Sequence, residues 1–197
     1  MSSTGRAAAI GVGGGEAKGA SPAAALAALS LSMLLSSLGT SVANVALPSL
    51  ATAFSASFQE VQWVVLAYLL VVTVPIVAVG RLGDLTGRRR LLLAGMALFT
   101  VASLLCGASG SLGMLTAARA LQGLGAAIMM SLTVAFVGDA VPEARTGAAM
   151  GLLGTMSAVG TALGPTLGGA LLAGLGWRAI FFVNLPLGGL ILVLARR

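Results

Sequence analysis

Arg119 stands inside an uninterrupted apolar run, in RALQGLGAA, with Gln122 one helical turn further on. A charge within such a run costs about 2.5–3.5 kcal/mol on insertion scales, so carbonyl oxygens, an interface or a ligand must compensate it. Tyr68, Gln62, Thr40 and Asn44 are the other polar or amphipathic groups that could line a cavity or bond to a neighbouring helix. Other chemistry has little to work with. The chain has no His, one Cys (Cys106, within an apolar run) and five acids, Glu16, Glu60, Asp84, Asp139 and Glu143. Metal cages, disulfide frameworks and His-based catalysis are not expected, and no metal or cofactor is assigned. Neither GxxxxGK[ST] nor GxSxG occurs, and GLGWRA (Gly174, Gly176, Ala179) only imitates a dinucleotide fingerprint, because it follows an apolar run and no acid lies downstream. An enzyme is not expected.

The elements that must position these groups are membrane helices. Of the 197 residues 58% are hydrophobic and 8% charged, and the mean hydropathy is +1.05, far from the roughly 25% charge of a soluble domain. Apolar runs of about 20 residues, enough to cross a hydrocarbon core, alternate with short polar segments. They lie near 24–47, 62–80, 91–109, 112–138, 147–173 and 179–195, predicting an all-α membrane protein with a six-helix bundle over 23–197. Residues 1–22, rich in Gly, Ala and Ser, read as a disordered cytoplasmic tail. Arg6 and Lys18 before AAALAALSLSMLL and Ser41-Val42-Ala43 imitate a cleavable signal.

With the N-terminus inside, Arg6, Lys18, Arg81, Arg88, Arg89, Arg90, Arg145, Arg196 and Arg197 fall on the cytoplasmic side and only Arg178 outside. That asymmetry predicts a multi-pass protein with a cytoplasmic N-terminus. It also accounts for the net charge of +6 without nucleic acid, since the basic residues cluster between spans rather than along one face. Glycines four residues apart, Gly147 and Gly151, then Gly160, Gly164 and Gly168, put small residues on one face of the fifth span, where another helix can approach. The first pair reads as ordinary bundle packing. The second set surrounds Pro165, with Gly169 following, and predicts a kink or flexing point.

Between the second and third spans stands GRLGDLTGRRRLL, in which Gly80, Leu82, Asp84, Gly87, Arg88, Arg89 and Leu92 fit the pattern GxLxDxxGR[RK]xxL. Two glycines permit a tight turn, Asp84 can sit at a helix N-terminus or pair with Arg, and the arginines can anchor at an anionic inner surface. The first span ends in LGTSVANVALP, similar to LDxTxVNVALP; the fourth contains RALQGLGAA, similar to RxxQGxGAA; the fifth contains GTALGPTLGG, similar to GxxxGPxxGG, and WRAIFFVNLPLG follows. In order and spacing these stretches, over about 30–190, resemble the major facilitator superfamily, in particular its drug:proton antiporter branch with fourteen spans. The first match runs through Ala43, so signal cleavage would destroy it.

The resemblance implies the N-terminal bundle of a secondary transporter in the plasma membrane, the bacterial inner membrane. Such a protein exports drugs or other small amphipathic molecules by proton antiport, its partners being the lipid bilayer, a small-molecule substrate and a C-terminal bundle missing after Arg197. It places Arg119, Gln122, Asn44 and Tyr68 on the substrate or proton pathway. Gly80, Asp84, Gly87, Arg88 and Arg89 become a conformational-switch loop, and Gly160, Gly164, Pro165, Gly168 and Gly169 the antiporter kink. At 1.5 Å per residue Arg119 lies roughly 10 Å below the outer end of its span and Gly39 roughly 22 Å above the inner end of the first, so the two reach a similar depth. Gly39 occupies the position where the family pattern has its Asp. The alternative is a non-transporting membrane protein that assembles through its Gly-rich fifth helix, or an inactive truncated fragment.

Overall fold

The computed structural model describes residues 22–196; the tail expected over 1–22 and its Arg6, Glu16 and Lys18 lie outside the described residues, apart from Pro22, which opens the first helix. The described chain is helical in the order α1 (Pro22–Phe54), α2 (Phe58–Thr73), α3 (Ile76–Thr86), α4 (Arg88–Gly107), α5 (Leu112–Ala140), α6 (Glu143–Leu175), α7 (Ala179–Phe182) and α8 (Asn184–Arg196). α1, α4, α5 and α6 are each long and apolar enough to cross a bilayer, α2 and α3 make a fifth crossing if taken as one bent span, and Ala179–Val193 is a shorter apolar segment. The apolar runs expected near 24–47, 91–109, 112–138 and 147–173 fall on α1, α4, α5 and α6, the one near 62–80 on α2 and α3, and the one near 179–195 on α7 and α8. α5 lies at the centre, packed on α2 and α4, and α6 lies along α1.

Serine and threonine hold up several helix ends and turns. Ser57 caps α2, its hydroxyl accepting from the Glu60 N–H at 3.3 Å while the Glu60 carboxylate accepts from the Ser57 N–H at 2.8 Å. That reciprocal pair is a capping box. Glu60 thus belongs to the first turn of a helix. Ser111 caps α5 in the same sense, accepting from Met114 N–H at 3.3 Å.

The second span departs from expectation. Instead of one helix over 62–80, α2 ends at Thr73 and the chain bends by 56° before continuing as α3. Pro75 is the physical reason, because it has no N–H for the carbonyl of Val71 and its ring crowds the preceding turn. Across this bend Ser131 on α5 donates to the Ile76 carbonyl at 3.1 Å, so a backbone group at the break has a partner inside the bundle.

Pro165 behaves differently. The expected kink at GTALGPTLGG is not a break: α6 is a single helix of 33 residues through Pro165. The carbonyl that proline leaves without its helical donor is that of Thr161, and the Ser41 hydroxyl of α1 donates to it at 2.7 Å. A second hydroxyl contact, Ser37 with Ser157 at 2.7 Å, lies one turn away. A Cβ on Gly160 would fall 2.6 Å from the Leu34 carbonyl, and one on Gly164 would run into Ser41. Gly168 faces Val42 and Val45, whereas nothing lies within 4 Å of a Cβ on Gly169. The glycine set is a packing seam against α1, with Gly169 outside it. Among the described residues nothing lies within 4 Å of a Cβ on Gly147 or Gly151 either.

Candidate functional site

Arg119 is completely buried where α1, α2 and α5 meet. Its Nε donates to the Val64 carbonyl at 3.1 Å, and its Nη1 donates to the Gly39 carbonyl at 3.3 Å and to Gln122 Oε1 at 2.6 Å. The guanidinium carbon lies 4.2 Å from the centre of the Tyr68 ring and 5.9 Å from that of Phe181. Nη2 is buried and makes no hydrogen bond among the described residues. All of these partners are neutral. Hydrogen bonds to a charged group are worth about 1.5–3 kcal/mol each and a desolvated cation–π contact about 2 kcal/mol, enough together to offset the cost of a charge within a span.

The surroundings extend as a relay of neutral groups. Gln122 uses its amide to hold both sides, accepting from Arg119 and donating to Ser103 Oγ on α4 at 2.6 Å. Ser103 in turn donates to the Phe99 carbonyl at 2.7 Å, and Tyr68 anchors to α1 by donating to the Ser36 carbonyl at 3.0 Å. The glycines of RALQGLGAA bring the helices close enough for this. A Cβ on Gly123 would lie 2.6 Å from the Tyr68 carbonyl of α2, and one on Gly125 would lie 2.7 Å from the Phe99 amide of α4. Both positions need a residue without a side chain.

Of the four residues expected on the pathway, Arg119, Gln122 and Tyr68 meet, and Gly39 joins them at the depth expected. Asn44 does not. It is exposed and bonds within its own helix, to the Thr40 carbonyl at 3.3 Å. Five residues along a helix rotate a side chain by about 140° from Gly39, so Asn44 and the Arg119 contact lie on different faces of α1. Ser103, Val64 and Phe99 were not singled out from sequence; a serine in an apolar run is the one signal among them, and it is weak.

The expected switch loop is much shorter than a loop. Gly80 to Thr86 belong to α3, Arg88 begins α4, and Gly87 alone connects them with φ +91°. Asp84 pairs with Arg88, Nη2 to Oδ1 being 2.8 Å and Nε to Oδ1 3.0 Å. Of the two alternatives for Asp84, pairing holds and a helix N-terminus does not: it lies in the last turn of α3. The closest glycine contact here belongs to Gly83, whose Cβ would lie 2.7 Å from Leu132 on α5, whereas Gly80 has ordinary room.

Comparison with known proteins identifies the family. Residues 29–197 match the family model described as Major Facilitator Superfamily. The chain is 44% identical over 170 residues to "Multidrug resistance protein Stp" of Mycobacterium tuberculosis (strain ATCC 25618 / H37Rv), covering 86% of this chain and 32% of that protein. It is 40% identical over 154 residues to "Drug efflux pump JefA" of the same strain, covering 78% and 30%. With "Riboflavin transporter RibZ" of Clostridioides difficile (strain 630) the identity is 38% over 158 residues, covering 80% and 35%. The chain thus spans about a third of the length of these relatives. Its fold matches the inward-facing, occupied crystal structure of a bacterial homolog to the human lysosomal transporter Spinster, with a TM-score of 0.76 at 21% identity over 87% of this chain and 43% of that one. A family model covering most of the chain, relatives matched over most of it and a shared helical fold agree, and the chain belongs to the major facilitator superfamily.

Proposed function

We propose that this chain forms the first bundle of a secondary transporter that exports small amphipathic molecules in exchange for protons, working with a second bundle in a bacterial cytoplasmic membrane with its N-terminus inside. The relatives named for multidrug resistance and drug efflux support the direction and substrate class. The single observation that carries the reading is the buried Arg119, a fixed cation held at bundle depth by neutral groups from three helices. An apolar anchor protein gains nothing from such a charge, whereas a transporter uses one to set the potential of a path across the membrane. Arg119, Gln122 and Tyr68 form that node. Gly39 leaves the proton carrier to another part of the assembled transporter.

Alternating access then moves the two bundles about a midplane site, as in secondary transporters built from repeated halves. No protein chemistry of bond making is assigned to the chain. The test is export by the full-length protein in proteoliposomes under an imposed pH gradient. Arg119→Ala is expected to abolish gradient-driven export while the protein still reaches the membrane. Export at the wild-type rate in that variant would overturn the reading.

A further inference from the structure

We propose that the groove between the C-terminal end of α6 and α7 is a docking site for an anionic phospholipid, with Arg178 receiving the phosphodiester. The groove encloses about 570 Å³ and is lined by Leu171, Leu175, Arg178, Ala179, Phe182 and Val183. Five of the six are apolar. Leu175 and Phe182 are large hydrophobic residues left exposed at 75% and 37%, the kind of surface that a lipid chain covers in a membrane protein.

Arg178 is the charged member of this lining, and it is held in place rather than loose. Its guanidinium carbon lies 4.4 Å from the centre of the Trp177 ring, and its Nη2 donates to the Ser109 carbonyl at 3.3 Å. Trp177 is itself buried and fixed by Phe54, 5.3 Å between ring centroids, and by Phe181 at 6.3 Å. A guanidinium has five N–H donors and binds phosphate oxygens through its planar edge, and the stack on Trp177 occupies its face. An immobilised cation at the end of an apolar trough is complementary to a head group with one negative charge and acyl chains attached. A soluble anion would use the guanidinium and leave the trough empty.

The molecule carries its own control. A second open groove, between α2 and α5, is lined by Trp63 but has Glu60 as its charge. It should not select an anionic lipid. Trp63 lines this second groove, while Trp177, stacked against Arg178, borders the first.

The experiment measures quenching of tryptophan fluorescence by lipids brominated on their acyl chains, in the full-length protein reconstituted into bilayers. In a Trp63→Phe background, Trp177 is expected to be quenched with about a fivefold preference for phosphatidylglycerol over phosphatidylcholine, the gain that one arginine beside an anionic head group supplies. Arg178→Gln should bring the preference to parity, and Arg178→Lys should keep most of it. Trp63, read in a Trp177→Phe background, should show none. Equal quenching by the two lipids in the Trp63→Phe protein overturns the proposal, a comparison that stands even if Arg178→Gln fails to fold. So does a preference that survives Arg178→Gln. A preference abolished by millimolar inorganic phosphate identifies a free anion and overturns the lipid assignment, and a Trp177 that neither lipid quenches shows the groove covered by protein.

Discussion

Two arginines in this bundle meet opposite environments. Arg119 is wholly enclosed and its partners are carbonyls, an amide and an aromatic ring, while Arg88 stands at the end of the bundle beside a carboxylate. In the interior, where Arg119 has no exposed surface, a charge draws its compensation from fixed dipoles, and losing any one of them leaves a poorly screened group behind. At the rim, Asp84 is 59% exposed and Arg88 32%, so water screens the pair and its strength is small. Burial, more than the presence of an opposite charge, decides how much each arginine matters to the fold.

The strongest way to break the contrast is Arg119→Lys. The charge stays, but an ammonium is a compact point that cannot bridge Val64 on α2 and Gly39 on α1 while stacking on Tyr68. Each charged hydrogen bond lost is worth about 1.5–3 kcal/mol, so a destabilisation of about 3 kcal/mol is expected in thermal unfolding of detergent-purified protein. Stability equal to wild type would show that the node is not what ties these helices together. The same substitution paired with Asp84→Asn should act additively, because the two sites share no partner.

Gly39→Asp makes the interior resemble the rim by placing an acid beside the guanidinium. A Cβ there would lie 3.3 Å from Phe99 Cζ, so the ring must give by a few tenths of an ångström. Introducing a buried ion pair is neutral or costs about 1–4 kcal/mol. The expected outcome is a modest stability loss in thermal unfolding of the purified protein, no larger than about 4 kcal/mol. A loss well beyond about 4 kcal/mol would show that the carboxyl is buried without pairing with Arg119.

How much of this was legible beforehand follows from the physics of each signal. Span length and hydropathy depend on the bilayer and are local, so the order of the apolar runs was readable. The Gly39–Arg119 meeting was readable too, since depth is residue count times helical rise. Side-chain direction was not used for Asn44, and a helical wheel would have separated it from Gly39. Pro75 and Pro165 look alike in sequence, yet one interrupts its helix and the other does not, and only a neighbour such as Ser41 can supply the donor that Thr161 lacks. Ser103 and Val64 enter the site through tertiary packing, which no single stretch encodes.

Returning to the rim, Gly87→Ala tests the geometry rather than the charge. With φ +91° and ψ 113° the position suits glycine alone, and forcing a side chain there costs about 1–3 kcal/mol. Unfolding within 0.5 kcal/mol of wild type, on the order of measurement error, would mean that the connector relaxes to another conformation. The Asp84–Arg88 pair would then be expected to lose its short contact.

Asp84→Asn should have the smallest effect on stability, and for that reason it is the most informative about movement. An acid in the last turn of α3 and an arginine in the first turn of α4 each oppose the dipole of their own helix, so they are favourable only as a pair. Removing the acid relieves one of these conflicts and leaves the other, and the exposed pair itself is worth about 0–1 kcal/mol. The expected change in unfolding is therefore under about 1 kcal/mol, shrinking further in 1 M salt, where the Debye length is about 3 Å. Export by the full-length protein should nevertheless fall more than substrate binding does, because Gly87 alone joins the two helices that this pair bridges. A binding loss as large as the export loss would assign Asp84 to the ligand path instead of the connector.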